Sequence, residues 1–303
     1  MNLGQQPAHS LTAETEGHFR ARLHRLCPQF TPAGPFTCTE TSTLLAGHIG
    51  PAAVIAKHLI DPRPFWQARA RHEASVYRIL AAAGPAPVPL PRLLASDPRA
   101  LMIVLTVLPG SQVCPDRYPV PPLPAAHMDE LLRALSRLHR WDAPALRRIP
   151  ADTDYAAQYA GLPADLFRPG ELERHAATTS TLTGALGTQL EHGDAHPGNA
   201  ITAPRAPLAL IDLEFLAPRL PGYDLAMLWT LTGPDPDLRT LITRHAGPDP
   251  RRITAFWLST VLVLGREILS HRRYAPTALH RDRLSRLQHD LVYARNRLSE
   301  ESA

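Results

Sequence analysis

Lysine is almost missing from this chain: of its 32 basic residues, Lys57 alone is not arginine. Asparagine is nearly as scarce, occurring at Asn2, Asn199 and Asn296. Cysteine appears three times, as Cys27, Cys38 and Cys114, isolated and odd in number. That excludes a disulfide framework and fits free thiols in a reducing cytoplasm. No apolar run approaches the ~20 residues of a membrane helix; Leu101–Leu108 and Phe256–Leu264 are the longest. The first residues, Met-Asn-Leu-Gly-Gln-Gln-Pro, lack the charged and apolar regions of a signal peptide. A Gly-x-x-x-x-Gly-Lys-Ser/Thr segment is also missing, which excludes a P-loop phosphate cradle. These absences lead us to expect a cytoplasmic protein without a membrane partner.

What is present fits a folded chain. At 303 residues with 44% hydrophobic composition it can bury a sizeable core, as one large bilobal unit or two domains. The formal charge of +4 invites a nucleic-acid reading. From Arg251 onward, ten arginines stand against five acidic residues, but at helical surface spacing and without interleaved aromatics. A solvated face, not a nucleic-acid partner, is the expectation.

The chemistry concentrates between Glu191 and Phe215. Asn199 opens the apolar run Ala200–Thr202, a turn covers 203–207, and a second run, Leu208–Leu213, follows. Two short runs around a proline-containing turn read as a hairpin. Its open end brings Asn199 beside Asp212, with Asp194 on the loop just before. Asp212 and Glu214 are two residues apart, so on an extended backbone they point the same way. The expected cluster is an asparagine, two aspartates and a glutamate with no protein cation among them, hard oxygen donors that suit Mg²⁺.

His192-Gly193-Asp194, with Asn199 five residues after the aspartate, followed by Ile211-Asp212-Leu213-Glu214, resembles a known pattern. It is similar to the catalytic loop and metal segment of the aminoglycoside phosphotransferase and choline kinase family, which shares the protein-kinase fold. The step from Asp194 to Asn199 equals that between catalytic aspartate and metal asparagine in protein kinases. The resemblance implies an α+β, bilobal, protein-kinase-like fold: an N-lobe over 1–108 with an antiparallel sheet and one main helix, a hinge over 109–124, and a mostly helical C-lobe over 125–303. It implies transfer of the γ-phosphoryl group of ATP or GTP to a hydroxyl of a sugar, amino alcohol or antibiotic, with Mg²⁺. Asp194 would serve the acceptor hydroxyl; Asn199 and Asp212 would hold the metal, with Glu214 assisting. Asp224, in Gly222-Tyr-Asp-Leu-Ala, would brace the catalytic loop, which His192 and His196 would help to pack.

The N-terminal residues supply the rest. Ala52–Ile60 reads as a strand, and its Lys57 resembles the kinase lysine that grips the α- and β-phosphates. Pro64–Ala83 reads as a helix with Val76, Ile79, Leu80 and Ala83 on one face. Glu73 lies on or beside that face and is the candidate partner of Lys57. The phosphate-covering loop falls at Thr37–Ser42, where kinases are usually glycine-rich; here Thr39, Thr41 and Ser42 offer hydroxyls instead. Pro109-Gly110 marks the hinge, so Thr106, Val107 and Leu108 are the positions expected beside the purine. Helices are expected over Thr12–Leu26, Ala125–Trp141, Pro250–Arg273 and Thr277–Arg297, the last two divided near Pro276.

For the acceptor, the carboxylates Asp235, Asp237, Asp249 and Glu267 each have arginine close by in sequence. Local cancellation predicts a neutral or singly charged acceptor. Glu267, which interrupts the apolar stretch Phe256–Leu269, is the candidate acceptor residue. Three rivals remain in view. A metallophosphoesterase would need further histidines, and Ala200 stands where one is usual. A protein kinase would need an Ala-Pro-Glu segment after Asp212. A nucleotide-binding pseudokinase is left open by the glycine-poor loop.

Overall fold

The computed structural model describes residues 13–273 and 277–301, so Thr12, Pro276 and Asn2 lie outside the described residues. In chain order the first elements are α1 (Ala13–Leu26), β1 (Thr31–Cys38), β2 (Ser42–Ile49), β3 (Ala52–Leu59), α2 (Pro64–Ala82), β4 (Leu93–Asp97), β5 (Met102–Thr106) and β6 (Ser111–Gln112). There follow α3 (Ala125–His139), α4 (Tyr155–Ala160), α5 (Glu171–Leu186), β7 (Gln189–Glu191), β8 (Ala200–Ala203), β9 (Ala206–Leu210) and β10 (Ala217–Arg219). Four helices close the chain: α6 (Tyr223–Leu231), α7 (Pro236–Arg244), α8 (Pro250–Arg272) and α9 (Ala278–Glu301).

These elements form two compact units. One comprises Met1–Arg117, Trp141–Ile149 and Pro197–Leu216; the other comprises Tyr118–Arg140, Pro150–His196 and Ala217–Ala303. The hairpin β8–β9 therefore clusters with the N-terminal residues, not with the helices that flank it in sequence.

In the first unit, five antiparallel strands run in the order β1-β2-β3-β5-β4. Alternation sets its two faces. Leu45, Val54, Ala56, Met102 and Val104 pack with Phe19, Leu23 and Cys27, spaced four apart along and just beyond α1. Lys57, one residue past Ala56, points the other way, toward α2. That helix opens on Pro64, whose fixed φ suits a first turn, and buries Trp66, Glu73, Val76, Tyr77, Ile79 and Leu80. β6, β8 and β9 make a second, three-stranded sheet. Gly110 permits it: φ is +120°, and a Cβ there would stand 2.2 Å from the Thr202 carbonyl oxygen. Only glycine lets β6 lie in register with β8, Ser111 opposite Thr202.

Helices fill the second unit. α3 buries Met128, Leu131, Leu132, Leu135 and Leu138 on one face. α6 is buried throughout, and α8 is buried from Ala255 to Gly265. By length and hydropathy α8 could cross a membrane, yet 72% of its apolar window lies inside the protein, as in a core helix. Asp235 and Asp249, weighed above as acceptor carboxylates, are instead N-caps: Asp235 accepts from the N–H groups of Asp237 and Leu238, and Asp249 from that of Arg251.

Candidate active site

In the first unit one ammonium gathers three carboxylates. Lys57 Nζ donates to Glu73 Oε2 at 2.9 Å, to Asp212 Oδ1 at 2.8 Å and to Glu214 Oε2 at 3.4 Å. Alternation on β3 aims the lysine, and the buried stripe of α2 carries Glu73. The oxygens of Glu73, Asp212 and Glu214 lie within 4.8 Å of one another. Burial favours the neutral amine, but Asp212, Glu73 and Glu214 outweigh it and hold Lys57 well above the usual lysine range. Glu73 moves upward, burial exceeding the pull of Lys57. One helical turn on, the Tyr77 hydroxyl is buried, and both it and Glu73 Oε1 have no hydrogen-bond partner among the described residues.

Two expectations are corrected here. The acidic set does contain a protein cation, Lys57, which serves Asp212 and Glu214 as well as Glu73. Nor do Asp212 and Glu214 share an extended strand. β9 stops at Leu210, and Asp212 has φ +63°, a left-handed conformation that aspartate adopts more readily than most residues. The kink, not strand alternation, turns both carboxylates to Lys57.

Asn199 is buried, and its carbonyl accepts the Ile211 N–H at 3.0 Å, which sets it beside Asp212 as a hairpin should. Gln112 fixes the segment before it, donating from Nε2 to the Gly198 carbonyl at 2.7 Å, while Val113 N–H bonds the Ala200 carbonyl. Ser42 is buried and lines a crevice with Lys57, Leu59, Glu73, Leu101 and Glu214. The glycine-poor loop is closed by Thr39, whose hydroxyl accepts from Ser42 N–H at 2.9 Å and donates to its carbonyl at 3.0 Å. Thr41 holds the next strand end: its carbonyl accepts from the N–H groups of Ile60 and Asp61. Two hinge N–H groups are engaged, Thr106 with Arg92 and Val107 with Ala53, and the chain continues through Leu108.

Residue Asp194 belongs to the second unit, on a loop held from below. Asp224 Oδ2 accepts the His192 N–H at 2.7 Å, and Oδ1 accepts the Gly193 N–H at 2.8 Å. Glu191 makes the reverse clamp, accepting from Gly222 N–H and Asp224 N–H at 2.9 Å each. His139, the last residue of α3, joins the two carboxylates: Nε2 lies 2.8 Å from Asp224 and 3.2 Å from Glu191. Burial opposes a charge on His139, but Glu191 and Asp224 overcome it and raise it from 6.5 to about 10. Burial would raise Asp224; His139 more than offsets it and lowers Asp224 from 3.8 to about 2. The imidazolium is thus a fixed charge. His192, fully buried, takes the Asp194 N–H on Nδ1 at 3.4 Å, so that nitrogen carries a lone pair. His196 Nε2 lies 3.5 Å from Asp194 Oδ2.

Sequence reasoning did not single out His139, Glu191 or Gln112. His139 had a signal: it continues the Leu131, Leu135 spacing and so falls on the buried stripe. Glu191 and Gln112 had none. Glu267 is buried where an acceptor residue would be open, and its carboxylate takes the Tyr118 hydroxyl.

A family model described as "Phosphotransferase enzyme family" matches residues 50–256. No curated protein matches the chain. Among solved structures, a choline/ethanolamine kinase family protein from Mesorhizobium loti superposes with TM-score 0.61 at 17% identity, covering 90% of this chain and 94% of that one. Choline kinase LicA from Streptococcus pneumoniae gives 0.58 at 15% identity, over 93% of this chain and 100% of its own. The GDP and kanamycin complex of APH(2")-IIia gives 0.58 at 15% identity, covering 92% and 99%. The antiparallel N-terminal sheet with its helix, followed by a mostly helical remainder, is the fold of these kinases.

Proposed function

The chain belongs to the phosphotransferase enzyme family and is a small-molecule phosphotransferase, and from that premise we propose that it moves the γ-phosphoryl group of ATP or GTP to a hydroxyl of a sugar, amino alcohol or antibiotic. The observation that carries this reading is Lys57 Nζ held among Glu73, Asp212 and Glu214. Three carboxylates against one ammonium leave two negative charges, the complement of one divalent cation, and all the donors are hard oxygens. Asp212 and Asn199 would hold Mg²⁺, with Glu214 assisting. When bound, the metal supplies charge neutralisation at the phosphates.

The chain's own residues do the rest. Glu73 fixes the ammonium of Lys57, which meets the phosphate oxygens as a compact charge. Asp194 accepts the proton of the acceptor hydroxyl, or orients that hydroxyl for in-line attack. His139, Glu191 and Asp224 keep the Asp194 loop in one conformation through its own N–H groups. Most of the rate enhancement is then positioning and charge complementarity.

Replacing Lys57 by arginine keeps the charge but introduces a planar fork where three carboxylates converge on one nitrogen. Binding of Mg²⁺-nucleotide is expected to weaken at least ~10-fold, the loss of about one charge-assisted contact. Calorimetric titration of both proteins checks it. A silent change would mean that the only lysine is a chance survivor.

The acceptor reading rests on local cancellation: Asp235 caps α7, Asp249 caps α8 and pairs with Arg251, and Glu267 is engaged by the Tyr118 hydroxyl, which leaves these carboxylates a weak field for a polycation. A panel of hydroxylated acceptors, scored by nucleoside diphosphate release, should favour neutral or singly charged compounds. Turnover confined to multiply charged aminoglycosides would overturn that. The Thr39-closed loop favours one alternative, a pseudokinase, and Mg²⁺-dependent thermal stabilisation by nucleotide with no product from any acceptor would establish it.

A further inference from the structure

Arginine in this chain is often paired edge-on. Nε and Nη2 form the side of the guanidinium that matches both oxygens of a carboxylate. Arg63 offers that edge to Asp61, Arg251 to Asp249 and Arg295 to Glu171. Arg286, on α9, does not follow. Its Nε and Nη2 are both buried, and neither has a hydrogen-bond partner among the described residues. Asp290, one turn on, stands 4.0 Å from Nε, beyond hydrogen-bond reach. Its Oδ2 is taken by Arg239 Nη2 at 2.5 Å.

The surroundings sharpen the mismatch. The guanidinium groups of Arg283 and Arg286 lie 4.6 and 5.7 Å from the centre of the Tyr118 ring. Asp290 attracts Arg286 while Arg239 and Arg283 repel it, and Glu267 is bonded to the Tyr118 hydroxyl. Burial, then repulsion from Arg239 and Arg283, lowers the proton affinity of Arg286. Arg251 and Arg272, which have carboxylate partners, move the opposite way. At the edge of the Tyr118 ring, 5.3 Å between centres, sits His271, only 3% exposed. Its Nδ1 donates to the Glu267 carbonyl, 2.8 Å away; burial lowers His271 and favours the neutral ring, which leaves a lone pair on Nε2, and that nitrogen too has no partner among the described residues. A half-buried cation whose bidentate edge is itself buried and unmet is costly unless something fills it.

We propose that the Nε/Nη2 edge of Arg286 binds a carboxylate or phosphate group, with Arg239 and Arg283 supplying the surrounding positive field. Two sources share that chemistry: an acidic group on the acceptor itself, or a free anion. The acceptor source rests on the phosphotransferase reading above; the binding does not.

The test is calorimetric titration of the full chain with sodium phosphate at constant ionic strength. Wild type is expected to bind saturably. Arg286→Gln should weaken binding at least ~10-fold, the loss of a charge-assisted pair, whereas Arg252→Gln, at an exposed position, should not. Arg286→Lys keeps the charge without the edge and should also bind weakly, which guards against a folding defect in the glutamine variant. Phosphate heats that never saturate, or that are the same in wild type and Arg286→Gln, overturn the proposal while leaving the phosphotransferase reading intact.

Turnover separates the two sources. If the acceptor's acid is the ligand, KM for an acidic acceptor rises at least ~10-fold in Arg286→Gln. KM for its neutral analogue and for nucleotide then stays unchanged, and phosphate competes with the acidic acceptor. If phosphate needs Arg286 but competes with no acceptor, the site serves a free anion. Phosphate binding without any turnover would sustain the site and sink the phosphotransferase reading.

Discussion

Asp194→Ala is expected to lower kcat at least ~10²-fold, the low end for a positioned proton acceptor, with nucleotide affinity nearly unchanged. The split follows from placement. Asp194 sits on a loop whose backbone is anchored by Asp224, whereas the groups assigned to the nucleotide, Lys57, Glu73, Asp212 and Glu214, are bonded to one another. Neither set of bonds is made through the Asp194 carboxylate. Steady-state kinetics together with a nucleotide titration reads both quantities. Equal turnover in variant and wild type would remove Asp194 from the chemistry; a matching loss of nucleotide affinity would move it to the metal.

The second large effect is on stability. His139→Gln leaves Glu191 and Asp224, both fully buried, without the cation that joins them. Breaking a buried ion pair by removing one partner costs about 3–5 kcal/mol, measurable by urea unfolding. The pH dependence identifies the cause. His139 is raised from 6.5 to about 10, so its contribution is complete below pH 6.5 and disappears as pH climbs through 10. Asp224 is lowered from 3.8 to about 2, so its contribution is complete above pH 3.8 and is lost as pH falls through 2. The deficit of the variant should therefore be largest between those limits and shrink toward both ends. A deficit that is the same at every pH would point to a packing defect instead.

Much of this site could be read before folding, for reasons that differ by residue. Lys57 stood out because arginine occupies every other basic position, and a position that resists that bias needs a compact charge. Glu73 was placed by the apolar stripe of α2, since helical period fixes which side chains share a face. The order of Asp194, Asn199 and Asp212 was visible because a loop and a hairpin are local structures. Long-range packing was not visible. Nothing in Ile211-Asp212-Leu213 announces a left-handed residue, so the carboxylates reach Lys57 by a kink where alternation would have been assumed. β4, short and bounded by prolines, shows no clean alternation and went unread. The clamp of Glu191, Asp224 and His139 joins residues up to 85 apart; Asp224 was legible through the family resemblance and His139 left a trace in periodicity, but Glu191 left none. Thr39 closes its loop with its own hydroxyl, a bond that composition alone presents as a free donor.

The most direct test follows the phosphoryl group itself. The protein is incubated with γ-labelled ATP or GTP, Mg²⁺ and a mixture of hydroxylated small molecules, and the label is traced by chromatography. The account predicts label on a small-molecule hydroxyl, dependent on Mg²⁺ and lost in Asp194→Ala. Saturable nucleotide binding with the label remaining on nucleotide, whatever acceptor is supplied, would contradict it.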